Sequence, residues 1–527
     1  MFKLIKRRIV IVLLSLISTL MLLTACGGGG GGSGSSAKIN IVRSGVLVDN
    51  TSSDNGSIVI SQADNKSITL HWQVNSNEPY NMFIYLSDDN QLNRSDSDEL
   101  IAAYENLTKD NVTVTIDPTS DAYKKISNAY GGKHYLIFDA NVSFYHSIVS
   151  VPVILKKIWT VAVYMDGDNS LSDAVSTNMN WMEEVGSTKD VNIVVETDTS
   201  SETTHRYFIK KNSSVLIADL GELDMADNKT LVDFGRWVIN NYPAAHYMLI
   251  LWNHGLGFRS IGNNRDIFWD DNTGGSPAGS PMSIPALKSA LLGIKNILKR
   301  KIDIIGFDAC LMGMVEIAYE IKDSAHIMIA SENTEPFDGW PYNDFLAYLV
   351  NHPLSPEDNI STAVVKDYIT HYGSNGTETL SAINLDSIDY LCSAFDNLSK
   401  ALLSDNDSIT LFKNSIVPNV QRLDENADNS IESYDSYVDM IDMVRRIIND
   451  NGFSQFVRDN ASVVNSIFDN STIIENKKGS GVPNAFGLSI WLPDNTAFSS
   501  TYYQNKYRVL DFYKDFKWYN FLQKLNQ

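Results

Sequence analysis

The chain has 527 residues, 43 % of them hydrophobic and 20 % charged, and a formal net charge of −21. That composition excludes a disordered or fibrous chain, and the length exceeds one hydrophobic core, predicting about three to four domain-sized units. The acidic excess argues against nucleic acid as a partner, because phosphate binding needs the opposite sign; it favours cationic substrates by long-range attraction, beside its ordinary role of keeping a surface solvated.

Lys3, Lys6, Arg7 and Arg8 form a basic head, and an apolar stretch runs from Ile9 to Leu23. That stretch is short for a spanning helix and reads as a signal peptide. It ends in Leu23-Thr24-Ala25-Cys26, which resembles the lipobox of bacterial lipoproteins. The resemblance implies that residues 1–26 are a lipoprotein signal whose Cys26 becomes the lipidated N-terminus. The expected location is the bacterial cell envelope, periplasmic or cell-surface, with acyl chains as the membrane partner. Residues 27–36, GGGGGGSGSS, predict a flexible tether.

Residues 37–155 are rich in Ser, Asn, Asp and Thr and carry short β-like runs such as SITLHWQV, NMFIYLS and VTVTID. Such runs, separated by turn residues, predict an all-β sandwich of immunoglobulin or fibronectin type. From Ile158 the texture changes. IWTVAVYM, VNIVVET, HYMLILW, IDIIGF and HIMIASE read as strands, and helical patterns lie between them at about 171–185, 229–241, 283–299 and 311–323. That alternation predicts an α/β unit with a mostly parallel sheet covered on both faces, over 158–385. A more helical part, 386–527, follows and includes the strand-like AFGLSIWLP at 485–493, which adds to the sheet or covers it.

Two predicted strands end in reactive residues. HYMLILWNHG (246–255) delivers His254 and IDIIGFDAC (302–310) delivers Cys310. Chemistry in open α/β sheets gathers at the carboxyl ends of strands, and a Cys with a His beside it is the minimal equipment for thiol nucleophilic catalysis. Of the other cysteines, Cys26 is assigned to lipid, and Cys392 lies in a helical pattern that makes it a core thiol. The Gly255 amide, with that of Cys310, is a candidate oxyanion donor. Asn253 points to the opposite face of its strand from His254, so a dyad is expected. By the same alternation Asp308 shares the face of Cys310. A buried carboxylate there needs compensation, by a substrate cation or by a helix cap or salt bridge.

The pattern resembles the caspase, legumain, gingipain and clostripain clan of cysteine peptidases. Cys310 follows His254 by 56 positions (310 − 254), close to the roughly 50-residue spacing of caspases. WTVAVYMDGDNSL (159–171), LWNHG (251–255), GFDACLMGMVE (306–316), SENTEPFDGWPY (331–342) and GLSIWLP (487–493) resemble the clostripain family in particular. The resemblance implies a caspase-like αβα sandwich and an endopeptidase that cuts protein or peptide substrates after Arg above Lys. It also implies pocket carboxylates at Asp308 and, less securely matched, Asp338. Caspases need a basic pocket, which these carboxylates contradict.

No cofactor is predicted. Asp166-Gly167-Asp168-Asn169 resembles half of a calcium loop, and some clostripain relatives depend on calcium. The spacing fails the EF-hand pattern, with Leu171 where Gly is needed and Thr177 where Glu is needed, and a turn capping the next helix is the favoured reading. No His/Cys cluster has zinc spacing and no Gly-rich phosphate loop follows a strand, so no metal ligands are assigned. Residues 258–281, between His254 and Cys310, read as a long polar loop carrying Arg259 and Arg265. The family resemblance implies self-processing there, with Arg265 the expected site; the alternative is a structural loop that stays whole. The alternative for the whole chain is a surface binding or adhesion lipoprotein with a degenerate peptidase domain.

Overall fold

The computed structural model describes residues 38–527 apart from position 50 and the stretches 55–56, 62–66, 93–97, 130–131, 260–268, 272–280, 426–427, 429 and 433. The chain forms two compact units. One comprises the described residues up to Ile158 with Thr188–Asp190 and Asn241–Ala245; the other comprises Trp159–Ser187, Val191–Asn240 and His246–Gln527.

The first unit is built from β1 (Ile39–Asp49), β2 (Thr51–Asp54), β3 (Ser57–Ser61), β4 (Ile68–Ser76), β5 (Tyr80–Ser87), β6 (Glu99–Leu107), β7 (Asn111–Ile116), β8 (Gly132–Val142) and the first half of β9 (Tyr145–Gly167). Strands β1, β4 and β7 form one antiparallel sheet, and β6, β5, β8 and β9 are neighbours in a second. Period-2 alternation sets the core: along β4, Leu70, Trp72 and Val74 are buried while the residues between them are half-buried. They pack with Met82, Ile84, Leu136 and Phe138. A helix at Asp121–Asn128 departs from the all-β expectation. Ser120 caps it by accepting from the Tyr123 amide, and Tyr123 and Ile126 are buried one turn apart.

The second unit holds the rest of β9 and the strands β10 (Val191–Thr199), β11 (Glu202–Lys210), β12 (Ser213–Asp219), β13 (Ala244–Trp252), β14 (Ile302–Asp308), β15 (Ala325–Ala330), β16 (Thr379–Asn384), β17 (Tyr437–Asp439), β18 (Ile473–Lys478) and β19 (Ser489–Trp491). The sheet order is β12-β11-β10-β9-β13-β14-β15-β16-β18. Pairing is parallel for β9 with β10 and from β13 through β15, and antiparallel at both edges. Every residue of β14 is buried. Because successive side chains point to opposite faces, both faces of the central sheet are covered.

The helices Ser172–Val185, Asn228–Asn241, Ile284–Leu298 and Val315–Ile321 follow the predicted order. The outer strands β11 and β12 at one end of the sheet and β16 and β18 at the other lie outside the predicted set. They are half-polar antiparallel strands whose pattern competes with loop composition. The run 485–493 does not join the main sheet. Its β19 pairs with β17 in a separate two-stranded ribbon, and Met314, just after Cys310, bridges to Ser489. Cys392 is fully buried on the helix Ile388–Leu403. Among the described residues no helix is long and apolar enough to cross a membrane.

Candidate active site

Strands β13 and β14 run parallel with Trp252 opposite Asp308, and the Asn253 amide donates to the Asp308 carbonyl at 3.3 Å. His254 and Cys310 each lie two residues beyond that register pair, so the two chains leave the sheet side by side. Gly255 fixes the approach. A Cβ there would fall 2.3 Å from the Cys310 carbonyl oxygen and 3.1 Å from the Ala309 side chain, so only glycine fits between the two turns. After Cys310 the backbone enters the left-handed region at Leu311, φ 62°, uncommon for a residue with a side chain. The bonds Leu311 N to Asn333 O (3.0 Å) and Gly313 N to Ser331 O (2.7 Å) hold that turn.

The segment Asp166–Ser170 supports His254. Its Nε2 lies 2.8 Å from Ser170 Oγ. The Asn253 side chain is buried, accepts from the His254 amide and donates to Asp166 Oδ2 at 2.5 Å. Asn253 thus serves the backbone of His254 while Ser170 reaches its ring. Neither role was legible in strand periodicity, because both residues lie beyond the strands. Nor does this segment cap the next helix through a side chain: Asn169 Oδ1 accepts from the Leu171 amide instead.

Beneath Cys310 the carboxyl of Asp308 is buried. Trp340 N donates to its Oδ2 at 3.2 Å and Tyr342 Oη at 2.9 Å. Burial pushes Asp308 up to about 7, against the lowering effect of its bonds with Trp340, Tyr342 and Glu335. Glu335 is the neighbour that sequence reasoning missed. Its amide donates to Cys310 Sγ at 3.2 Å, Trp340 Nε1 approaches its Oε1 at 3.4 Å, and burial, then Asp308, raises its carboxyl well above the usual range. Asp338 is exposed and offers its backbone carbonyl to Asn178 Nδ2 at 2.8 Å. Both acids lie on the loop after β15, where no periodicity distinguishes an inward residue from an outward one. The Cys310 thiol is pushed up to about 12 by burial first and by Glu335 and Asp308 after it.

The C-terminal part buttresses both turns. Tyr437 Oη donates to the Leu256 carbonyl at 2.8 Å and accepts from Arg259 Nε at 2.9 Å. Arg259 is 1 % exposed, pairs with Glu425 through Nη2–Oε2 at 2.5 Å and stacks on Tyr437 and Tyr503. This corrects its expected place in an exposed loop open to cleavage: Arg259 is a buried structural cation. Arg265, Cys26 and the tether 27–36 lie outside the described residues.

Asp168, Glu222 and Asp270 bring one carboxylate oxygen each within 4.8 Å of the others. An all-oxygen set of this kind suits a hard cation such as calcium, and only Asp168 comes from the half-loop read in the sequence. A second group, His246, Asp303 and Glu357, already holds a cation of its own, Arg300 Nη1 lying 2.8 Å from Asp303.

The chain is similar to clostripain of Hathewaya histolytica, 33 % identical over 130 residues; the match covers 23 % of this chain and 24 % of that protein, about a quarter of its length. It is similar in structure to an inactive zymogen C11 protease from Parabacteroides distasonis (TM-score 0.51, 22 % identity, 68 % of this chain and 98 % of that one). A secreted C11 cysteine protease from Bacteroides thetaiotaomicron in complex with an irreversible peptide inhibitor is similar too (TM-score 0.52, 22 % identity, 69 % and 99 %). At that identity the two share the fold, the caspase-like α/β architecture expected from the sequence. A profile of the Clostripain family matches residues 163–524, well over half of the chain, and the protein belongs to that family.

Proposed function

We propose that this protein is a cysteine endopeptidase that cleaves after Arg and, more slowly, Lys. The observation that carries the reading is the contact of the Gly255 turn with the Cys310 carbonyl, two residues after the buried Asp308 that ends β14. It brings His254, Cys310 and Asp308 to one sheet edge, which supports reading them as base, nucleophile and anionic subsite. His254 takes the Cys310 proton and the sulfur attacks the acyl carbon. The Gly255 and Cys310 amides receive the oxyanion, and His254 protonates the leaving amine. Water then hydrolyses the thioester. Asp308 pairs with the substrate's basic side chain and Asp338 attracts it from outside. The resting thiol is protonated, so His254 acts as a general base on a neutral thiol; a bound cation that offsets Asp308 and Glu335 makes ionisation easier.

In the purified chain, Cys310→Ala and His254→Ala each abolish turnover of an Arg amide substrate while the circular dichroism spectrum stays unchanged. Full activity in either variant would refute the dyad. Self-processing after Arg265 belongs to the same reading. On a denaturing gel the wild type gives two fragments and Cys310→Ala one band, whereas a single band in a fully active wild type excludes processing. Cys26 carries the lipid that holds the protein to the bacterial envelope. Mass spectrometry of the N-terminal peptide checks this: an acylated Cys26 supports it and an unmodified one rejects it.

A further inference from the structure

We propose that Glu335 is a second carboxylate of the pocket for the basic side chain, and that Asp308 and Glu335 share one proton, which an entering guanidinium replaces. This rests on the reading of Cys310 as nucleophile and Asp308 as pocket acid. Glu335 reaches the site twice. Its backbone flanks the nucleophile, with the amide 3.2 Å and the carbonyl 3.9 Å from Cys310 Sγ. Its side chain shares Trp340 with Asp308, the indole Nε1 lying 3.4 Å from Glu335 Oε1 and the Trp340 amide 3.2 Å from Asp308 Oδ2, and each acid acts on the other's ionisation.

The protein leaves this pair short of donors. Asp308 Oδ2 accepts from Trp340 N and Tyr342 Oη, and Glu335 Oε1 receives a 3.4 Å bond from Trp340 Nε1. Glu335 Oε2 is buried with no hydrogen-bond partner. Gly339, at φ +66°, lays its backbone on Asp308: a Cβ there would fall 2.8 Å from Asp308 Oδ1. No Lys, Arg or His among the described residues pairs with either acid. The other titratable groups facing them are the Cys310 thiol and the hydroxyls of Tyr342, Tyr368 and Tyr372, which burial, aided by these carboxylates, keeps neutral. Asp338 adds only negative charge near Tyr372.

Two carboxyls held against one Trp340, out of water and with no cation between them are not both ionised, so one proton stays with the pair. A guanidinium brings five donors in a planar fork, enough to bond both carboxylates and the orphaned Oε2. The carboxyl O–H then breaks, its proton passes to solvent and N–H···O bonds replace it, with no change of oxidation state. An ammonium is a point charge with three donors and satisfies the pair less well, which gives a physical reason for Arg over Lys.

Calorimetric titration of the full chain carrying Cys310→Ala with an acetyl-arginine amide, in two buffers of different ionisation enthalpy at pH 6, counts the protons. We expect release of about one proton per ligand bound, and release near zero in a Glu335→Gln background. In otherwise wild-type enzyme, Glu335→Gln raises KM for an Arg amide at least about tenfold, by the loss of one charge-assisted bond, with a smaller change in kcat and a lower Arg-to-Lys ratio. No proton release, or an unchanged ratio in Glu335→Gln while Asp308→Asn loses it, overturns the sharing and leaves the pocket at Asp308. Failure of the wild type to cut after Arg overturns both.

Discussion

Glu316 illustrates how far a single buried acid carries the fold's dependence on pH. Its carboxyl accepts from Trp491 N at 3.0 Å and Tyr507 Oη at 3.2 Å, tying the helix after Cys310 to the C-terminal ribbon. Burial raises it from 4.5 to about 7. The folded group therefore keeps its proton where the unfolded one has lost it. Its contribution to stability is complete below pH 4.5 and is lost as pH rises through 7, by about 3 kcal/mol. Glutamine keeps the acceptor and removes the titration. Urea unfolding of Glu316→Gln is thus expected to show a gain over wild type that grows between pH 4.5 and 7; a difference independent of pH would contradict the assignment. At this scale the sequence spoke clearly about strand residues and poorly about loop residues. Alternation along β14 reaches Asp308, the strand's last residue, while Cys310 lies two residues beyond it in the turn. Nothing comparable separates Glu335 from Asp338, three positions apart in an irregular loop.

The turn after β13 depends on an element more than 150 residues away. Residues 256–259 are held by Tyr437 and Glu425, while Phe258 meets the rings of Trp491 and Tyr507 edge-on at 5.4 and 5.0 Å. Removing the Arg259 cation leaves Glu425 buried and unpaired, a loss of about 3–5 kcal/mol. Arg259→Met is expected to lower the urea midpoint accordingly, and the double variant with Glu425→Met to recover part of it. Equal midpoints for wild type and Arg259→Met would remove the ion pair from the account. This clasp was illegible in the sequence because FRSIGNNRD has the composition of a loop. Burial of Arg259 is decided by partners at 425 and 437, and no local pattern encodes a pairing over that distance.

Across the molecule, legibility followed the strength of the local period. The continuous apolar runs of β9, β10, β13, β14 and β15 declared a buried parallel sheet. The antiparallel edges and the β17–β19 ribbon stayed hidden. Their strands are short or half-polar and are stabilised by pairing partners rather than by their own pattern. What unites the molecule functionally is the claim that Cys310, and not the deeply buried Cys392, is a nucleophile fed by an acidic subsite. Labelling with an irreversible thiol-reactive peptide ending in Arg, followed by mass spectrometry of the digested protein, tests that claim most directly. One adduct per chain is expected, on Cys310, lost in His254→Ala and suppressed in Asp308→Asn. An adduct on Cys392, or equal labelling by a peptide ending in Asp, would contradict it.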